Sequence, residues 1–159
     1  MHNPLFDLLS TFLISMVPLL ELRAGIPLGV AMGLPTAAAT AAAILGNLTQ
    51  VPIARWMVDL AYRFASRLAV ADRWLKKTEA QTSRYASWIQ RWGWVGLTVF
   101  VLLPLPGTGV WGGVVLSRLL GLGAGSIWLG LGLGVAISGA IFGLGTHGAL
   151  AVFEGWILR

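Results

Sequence analysis

The chain has 159 residues, of which 57% are hydrophobic and 11% charged, with a formal net charge of +5 and no cysteine. Its mean hydropathy is +0.80. Soluble domains carry about a quarter of their residues as Asp, Glu, Lys or Arg, so this composition excludes an ordinary soluble fold and indicates an integral membrane protein. The missing cysteines exclude a disulfide framework, a thiolate metal site and a thiol nucleophile.

The N-terminus has neither a basic n-region nor a small-residue cleavage site, so it does not read as a removed signal peptide. Leu5 to Leu20 is apolar but short of the roughly 20 residues that a full span needs, and it reads as a partial or tilted segment. It runs into Val17–Pro27, where Pro18, Glu21, Arg23, Gly25 and Pro27 interrupt the apolar run. A helix broken at membrane depth is tolerated only where protein or a water-filled cavity satisfies the freed backbone groups. Thr36 to Ala54 is long enough to cross. Arg55, Asp59, Arg63 and Arg67 then recur every fourth residue and line one face of the same helix as it leaves the membrane.

Residues 55–91 hold eight Lys or Arg against three acids. Short loops rich in Lys and Arg stay on the cytoplasmic side, so this connector is expected there, in an inner (cytoplasmic) membrane. Its basic residues lie beside apolar spans rather than on a polar domain, which argues against nucleic acid as a partner. Asp72 to Trp92, with Trp74, Trp88 and Trp92 among basic residues, suits either an amphipathic surface helix or a solvated connector.

Gly93 to Val101 begins a second apolar half, which breaks at Pro104–Gly113, resumes through Leu120 and continues as a Gly-rich span to about Leu150. The order mirrors the first half: apolar lead, Pro/Gly break, short return, full span. Pairing Pro18 with Pro104 gives few identities, so the repeat rests on architecture. Gly130/Gly134 and Gly139/Gly143 form two small-xxx-small pairs, which let helices pack backbone to backbone and also suit a homodimer. The predicted fold is an all-α integral membrane protein in one membrane domain. It has two inverted pseudo-repeats, residues 1–54 and 92–159, each with a re-entrant helical hairpin and a transmembrane helix.

Glu21-Leu22-Arg23-Ala24-Gly25-Ile26-Pro27-Leu28-Gly29, followed by Gly33-Leu34-Pro35, Gly46-Asn47 and Pro104-Leu105-Pro106-Gly107-Thr108-Gly109-Val110-Trp111-Gly112-Gly113, resembles the small multi-drug export protein family of prokaryotes. The match covers most of the chain. More remotely, the architecture is similar to DedA-type membrane proteins, which are built from paired re-entrant hairpins and include transporters of undecaprenyl phosphate. The longer DedA motif, with two arginines around a Phe/Tyr-Pro stretch, is missing here.

The residues carry their own chemistry. An ionised Glu or Arg facing lipid at a helix centre costs about 2.5–3.5 kcal/mol on insertion scales, so Glu21 and Arg23 are expected either to face a cavity from a non-helical turn or to snorkel from the end of a short helix. In the cavity, Glu21 exchanges a proton and Arg23 holds an anionic group. Gly107, Thr108 and Gly109 make a turn whose backbone N–H groups can converge on an anion, with a helix starting near Val110 adding its positive end. Arg118 either lines the same cavity or snorkels to the nearer surface. Pro18, Gly25, Pro27, Pro104, Pro106, Gly112 and Gly113 are expected to shape the hairpins, and Asn47 and Gln50 to hydrogen-bond the broken segments.

These residues point first to transport of an amphiphilic substrate, with two alternatives beside it. The first reading is a transporter or flippase of an amphiphilic substrate such as an anionic lipid carrier, coupled to protons. One alternative is proton-coupled export of lipophilic cations. The other is a membrane scaffold without transport activity. No nucleophile–base pair, carboxylate pair or metal cluster appears, so neither an enzyme nor a cofactor or metal is expected.

Overall fold

A computed structural model describes residues 3–65, 91–103 and 108–157, and every regular element among them is an α-helix. The helices are α1 (Pro4–Ser15), α2 (Glu21–Ala31), α3 (Thr36–Ala65), α4 (Trp94–Leu102), α5 (Val110–Leu119) and α6 (Ala124–Ile157). Two are long and apolar enough to cross a membrane, over Thr36–Phe64 and Ala124–Ala149. The expected surface helix at Asp72–Trp92 lies mostly outside the described residues, as do Pro104, Pro106 and Gly107.

Local chemistry sets the first hairpin. Asn3 accepts the N–H groups of Leu5 and Phe6 through its side chain, and Pro4 takes the first helical position, where its missing N–H is no loss. The chain breaks only over residues 16–20. Glu21, Arg23, Gly25 and Pro27 all lie within α2, so Glu21 and Arg23 sit at the start of a short helix, the second of the two expected placements, and Glu21 itself keeps a left-handed backbone (φ 49°). Gly112 and Gly113 are likewise inside α5. The reason is energetic. Each backbone group left unpaired away from water costs several kcal/mol, whereas Pro27 removes a single bond from the ladder, so a short break is far cheaper than ten irregular residues.

The same order of elements occurs twice: short helix, break, short helix, glycine turn, long helix. α2 ends with the Leu34 N–H on the Gly29 carbonyl at 3.0 Å and the Gly33 N–H on that of Val30 at 2.9 Å. α5 ends with the Leu122 N–H on the Ser117 carbonyl at 3.0 Å and the Gly121 N–H on that of Arg118 at 3.3 Å. Both are Schellman caps, which need a residue with positive φ, and Gly33 (99°) and Gly121 (63°) supply it. The long helices begin at Thr36 and Ala124, so 121 less 33 and 124 less 36 give the same register of 88. At that register Phe12 matches Phe100, Pro18 matches Pro106, Gly25 matches Gly113, Leu34 matches Leu122 and Gly46 matches Gly134.

The chain forms two compact units, residues 1–48 with 136–159, and residues 49–135. In the first, Leu22, Ile26, Leu34, Ala39 and Ala43 form the core. Here Gly139 faces Ile44, and Gly143 faces Thr40, at separations that leave no room for a side chain. In the second unit the core is Leu97, Phe100, Val110, Leu116, Leu131 and Val135. Gly130 lies against the Trp94 carbonyl and Leu97, and Gly134 against Thr98 and Val101. Thr98 also donates its hydroxyl to the Gly130 carbonyl at 3.0 Å. Lipid tails are as apolar as leucine, so close packing and such hydrogen bonds hold membrane helices together where the hydrophobic effect cannot.

Candidate functional site

α1 is amphipathic the wrong way round for a soluble protein. Asp7, Thr11 and Ser15, four residues apart on one face, are buried, while Leu5, Phe6, Leu9 and Leu13 are exposed. That inversion suits a helix with lipid outside and a polar interior. The Thr11 hydroxyl donates to the Asp7 carbonyl and the Ser15 hydroxyl to that of Thr11, each at 2.8 Å. Both hydroxyls are thus satisfied within the helix.

α2 runs antiparallel to α1 and meets this polar face with glycines. Gly25 lies against Ser15 and Gly29 against Thr11, so closely that no Cβ fits at either. One turn before Gly25 on the same face comes Glu21, buried with 7% exposure. The lane therefore runs Asp7, Thr11, Ser15, Glu21. α3 closes it from a third side, where Gly46 abuts the Phe12 carbonyl and Ser15, and the adjacent Asn47 is buried. Arg23, two residues past Glu21, is half-buried.

Glu21 is also held in an uncommon backbone conformation. Leu19 (φ 75°) and Glu21 (φ 49°) are the non-glycine residues with positive φ among the described residues. Each costs about 1–3 kcal/mol and persists only where surrounding structure enforces it, typically at functional sites. At the 88-residue register Leu19 and Glu21 correspond to Gly107 and Gly109. The first hairpin thus keeps a carboxylate where the second has a glycine.

In the other unit, Thr108 and Gly109 are buried just before α5, which starts at Val110 as expected. The Thr108 hydroxyl donates to the Leu103 carbonyl across the break. Trp111 Nε1 donates to Gln50 Oε1 at 2.7 Å, so Gln50 of α3 anchors the helix that follows the second break. Arg118 lies at the far end of α5, about 15 Å of helix rise from Thr108, so the two do not share one site. Its Nε donates to Asp59 Oδ1 of α3 at 2.9 Å, and its guanidinium carbon sits 5.4 Å from the centre of the Tyr62 ring. The pair is well exposed, 54% and 37%, and such pairs contribute about 0–1 kcal/mol. It therefore positions Arg118 more than it stabilises the fold.

The spacing of Asp7, Thr11 and Ser15 in an otherwise apolar helix is the sequence signal for the polar lane, and the Glu21–Pro27 motif does not carry it. Among the described residues no group of three His, Cys, Asp or Glu is placed to hold a metal ion.

Two long apolar helices, a hairpin with its polar face inward and a buried carboxylate at the helix break define a helical membrane protein. The chain belongs to the family described as "Putative small multi-drug export protein", which matches residues 21–141. That name describes export. The matched segment opens at Glu21 and includes both Schellman turns. No curated protein and no solved structure matches the chain.

Proposed function

We propose that the protein is a transporter that exchanges an amphiphilic substrate for a proton at Glu21. The observation that carries this reading is the burial of that carboxylate, in a strained backbone conformation, at the end of a polar lane within a hairpin whose first helix has an apolar exposed face. A carboxylate that binds either a proton or a substrate, but not both, couples the two movements. Two buried acids, Asp7 and Glu21, against one half-buried Arg23 favour a cationic headgroup in this lane.

A second reading has support in Arg23. A guanidinium two residues from Glu21 suits the phosphate of a lipid carrier such as undecaprenyl phosphate, with Glu21 modulating it. Proteoliposome transport separates the readings. A lipophilic cation driven by a pH gradient and lost in Glu21→Gln supports the first. Flipping of a fluorescent polyprenyl phosphate, lost in Arg23→Ala, supports the second. Retention of both activities in both variants overturns the assignment of this site.

Helix lengths favour re-entrant hairpins. At 1.5 Å per residue α1, α2, α4 and α5 are about 14–18 Å long, against a hydrocarbon core of about 30 Å. Each copy of the repeat then has one crossing helix, and one crossing per copy turns the second copy upside down in the membrane. This is the arrangement of an inverted repeat. With residues 55–91 in the cytoplasm, α3 ends and α6 begins on that side of the inner membrane.

A further inference from the structure

In the unit formed by residues 49–135, a cavity of about 390 Å³ opens between the end of α3, the end of α5 and the Schellman turn that follows it. Among the described residues its charged lining is Arg55, Asp59, Arg63 and Arg118, with Ser117 beside them. Arg55, Asp59 and Arg63 come from one face of α3 at four-residue spacing. Arg118 comes from a different element, held in place by Asp59 and by the face of Tyr62.

We propose that this cavity binds a phosphate-bearing anion. Three arginines line a space large enough for a phosphate and its substituent, and Asp59 is the carboxylate among the described lining residues. Helix-end arginines that served only to orient the protein in the membrane would need no counterpart from α5. The Arg118 Nε bond to Asp59 engages one of five N–H donors in the guanidinium fork, a geometry that matches phosphate oxygens. Arg118 is therefore oriented before the anion arrives, while its exposed ion pair is weak enough to be shared with the incoming anion. The cavity lies next to the turn of Gly121 and Leu122, where α5 passes into the long helix α6. Either a bilayer phospholipid or a soluble phosphate compound can supply this chemistry. The inference does not depend on Glu21 or on transport.

The test uses the full chain in detergent, with inorganic phosphate titrated by calorimetry and lipid retention measured by native mass spectrometry for phosphatidylglycerol and phosphatidylcholine. The account predicts saturable phosphate binding, or selective retention of phosphatidylglycerol. Phosphate binding that phosphatidylglycerol does not displace identifies a soluble anion, and displacement identifies a lipid headgroup. Arg118→Gln and Arg55→Gln each weaken binding about tenfold or more, whereas Asp59→Asn strengthens it about fivefold by removing the opposing charge. A purely structural Arg118–Asp59 pair predicts the opposite for Asp59→Asn, lower stability with no gain in affinity. Equal retention of both lipids with no phosphate binding, or unchanged binding in both arginine variants, overturns the proposal.

Discussion

Gly25 of α2 lies so close to Ser15 of α1 that a Cβ built on the glycine overlaps the serine hydroxyl. The same hydroxyl donates to the Thr11 carbonyl at 2.8 Å, so it is not free to swing aside without loss. Gly25→Ala is expected to destabilise the protein by about 1–3 kcal/mol through overpacking. Ser15→Ala in the same chain should recover part of that loss, because the remaining methyl contact is tight but not overlapping. Thermal denaturation of the two single variants and the double variant measures the coupling.

The strained residues of the first break behave differently from each other. Leu19 is exposed and Glu21 buried, yet both have positive φ. Leu19→Gly should raise stability by about 0.5–1 kcal/mol and leave transport intact, since only backbone strain is removed. Glu21→Gly removes the same kind of strain and should leave a folded protein, but one without proton-coupled transport. Loss of folding in Glu21→Gly would make the carboxylate a structural group.

The glycines that end α2 and α5 should tolerate substitution equally badly. Gly33→Ala and Gly121→Ala each force a side chain into positive φ, at a cost of about 1 kcal/mol. The double variant should show the sum of the two losses in a denaturation experiment, because the caps share no hydrogen-bond partner.

The exposed face of α1 discriminates lipid from water. Leu9→Arg should impair membrane insertion by about 2–3 kcal/mol, whereas the same change on a water-facing helix is nearly neutral. Normal yield of membrane-inserted Leu9→Arg protein would mean that this face does not contact lipid.

Much of this was legible in the residues. The uncharged run from Ala24 to Ala54 followed by four-residue charge spacing marked α3, and Gly130/Gly134 and Gly139/Gly143 marked the packing faces of α6. The break before Val110 and the anchoring role of Gln50 were readable for the same reason, since polar groups in apolar helices need partners. The limits of the breaks were not. Pro27, Gly112 and Gly113 read as helix breakers, but the cost of unpaired backbone away from water keeps them helical. Nor was the 88-residue register visible, because lipid-facing positions accept any apolar residue and leave matches only at caps and close contacts. Arg118 and Asp59 are 59 positions apart, and no local spacing brings them together.

The most direct test of the central claim is transport of a lipophilic cation by the reconstituted protein under an imposed pH gradient, comparing the unaltered chain with Glu21→Gln. The account predicts gradient-driven movement in the first and its loss in the second, with both proteins equally folded and inserted. Equal transport by both, with the same dependence on the gradient, would contradict it.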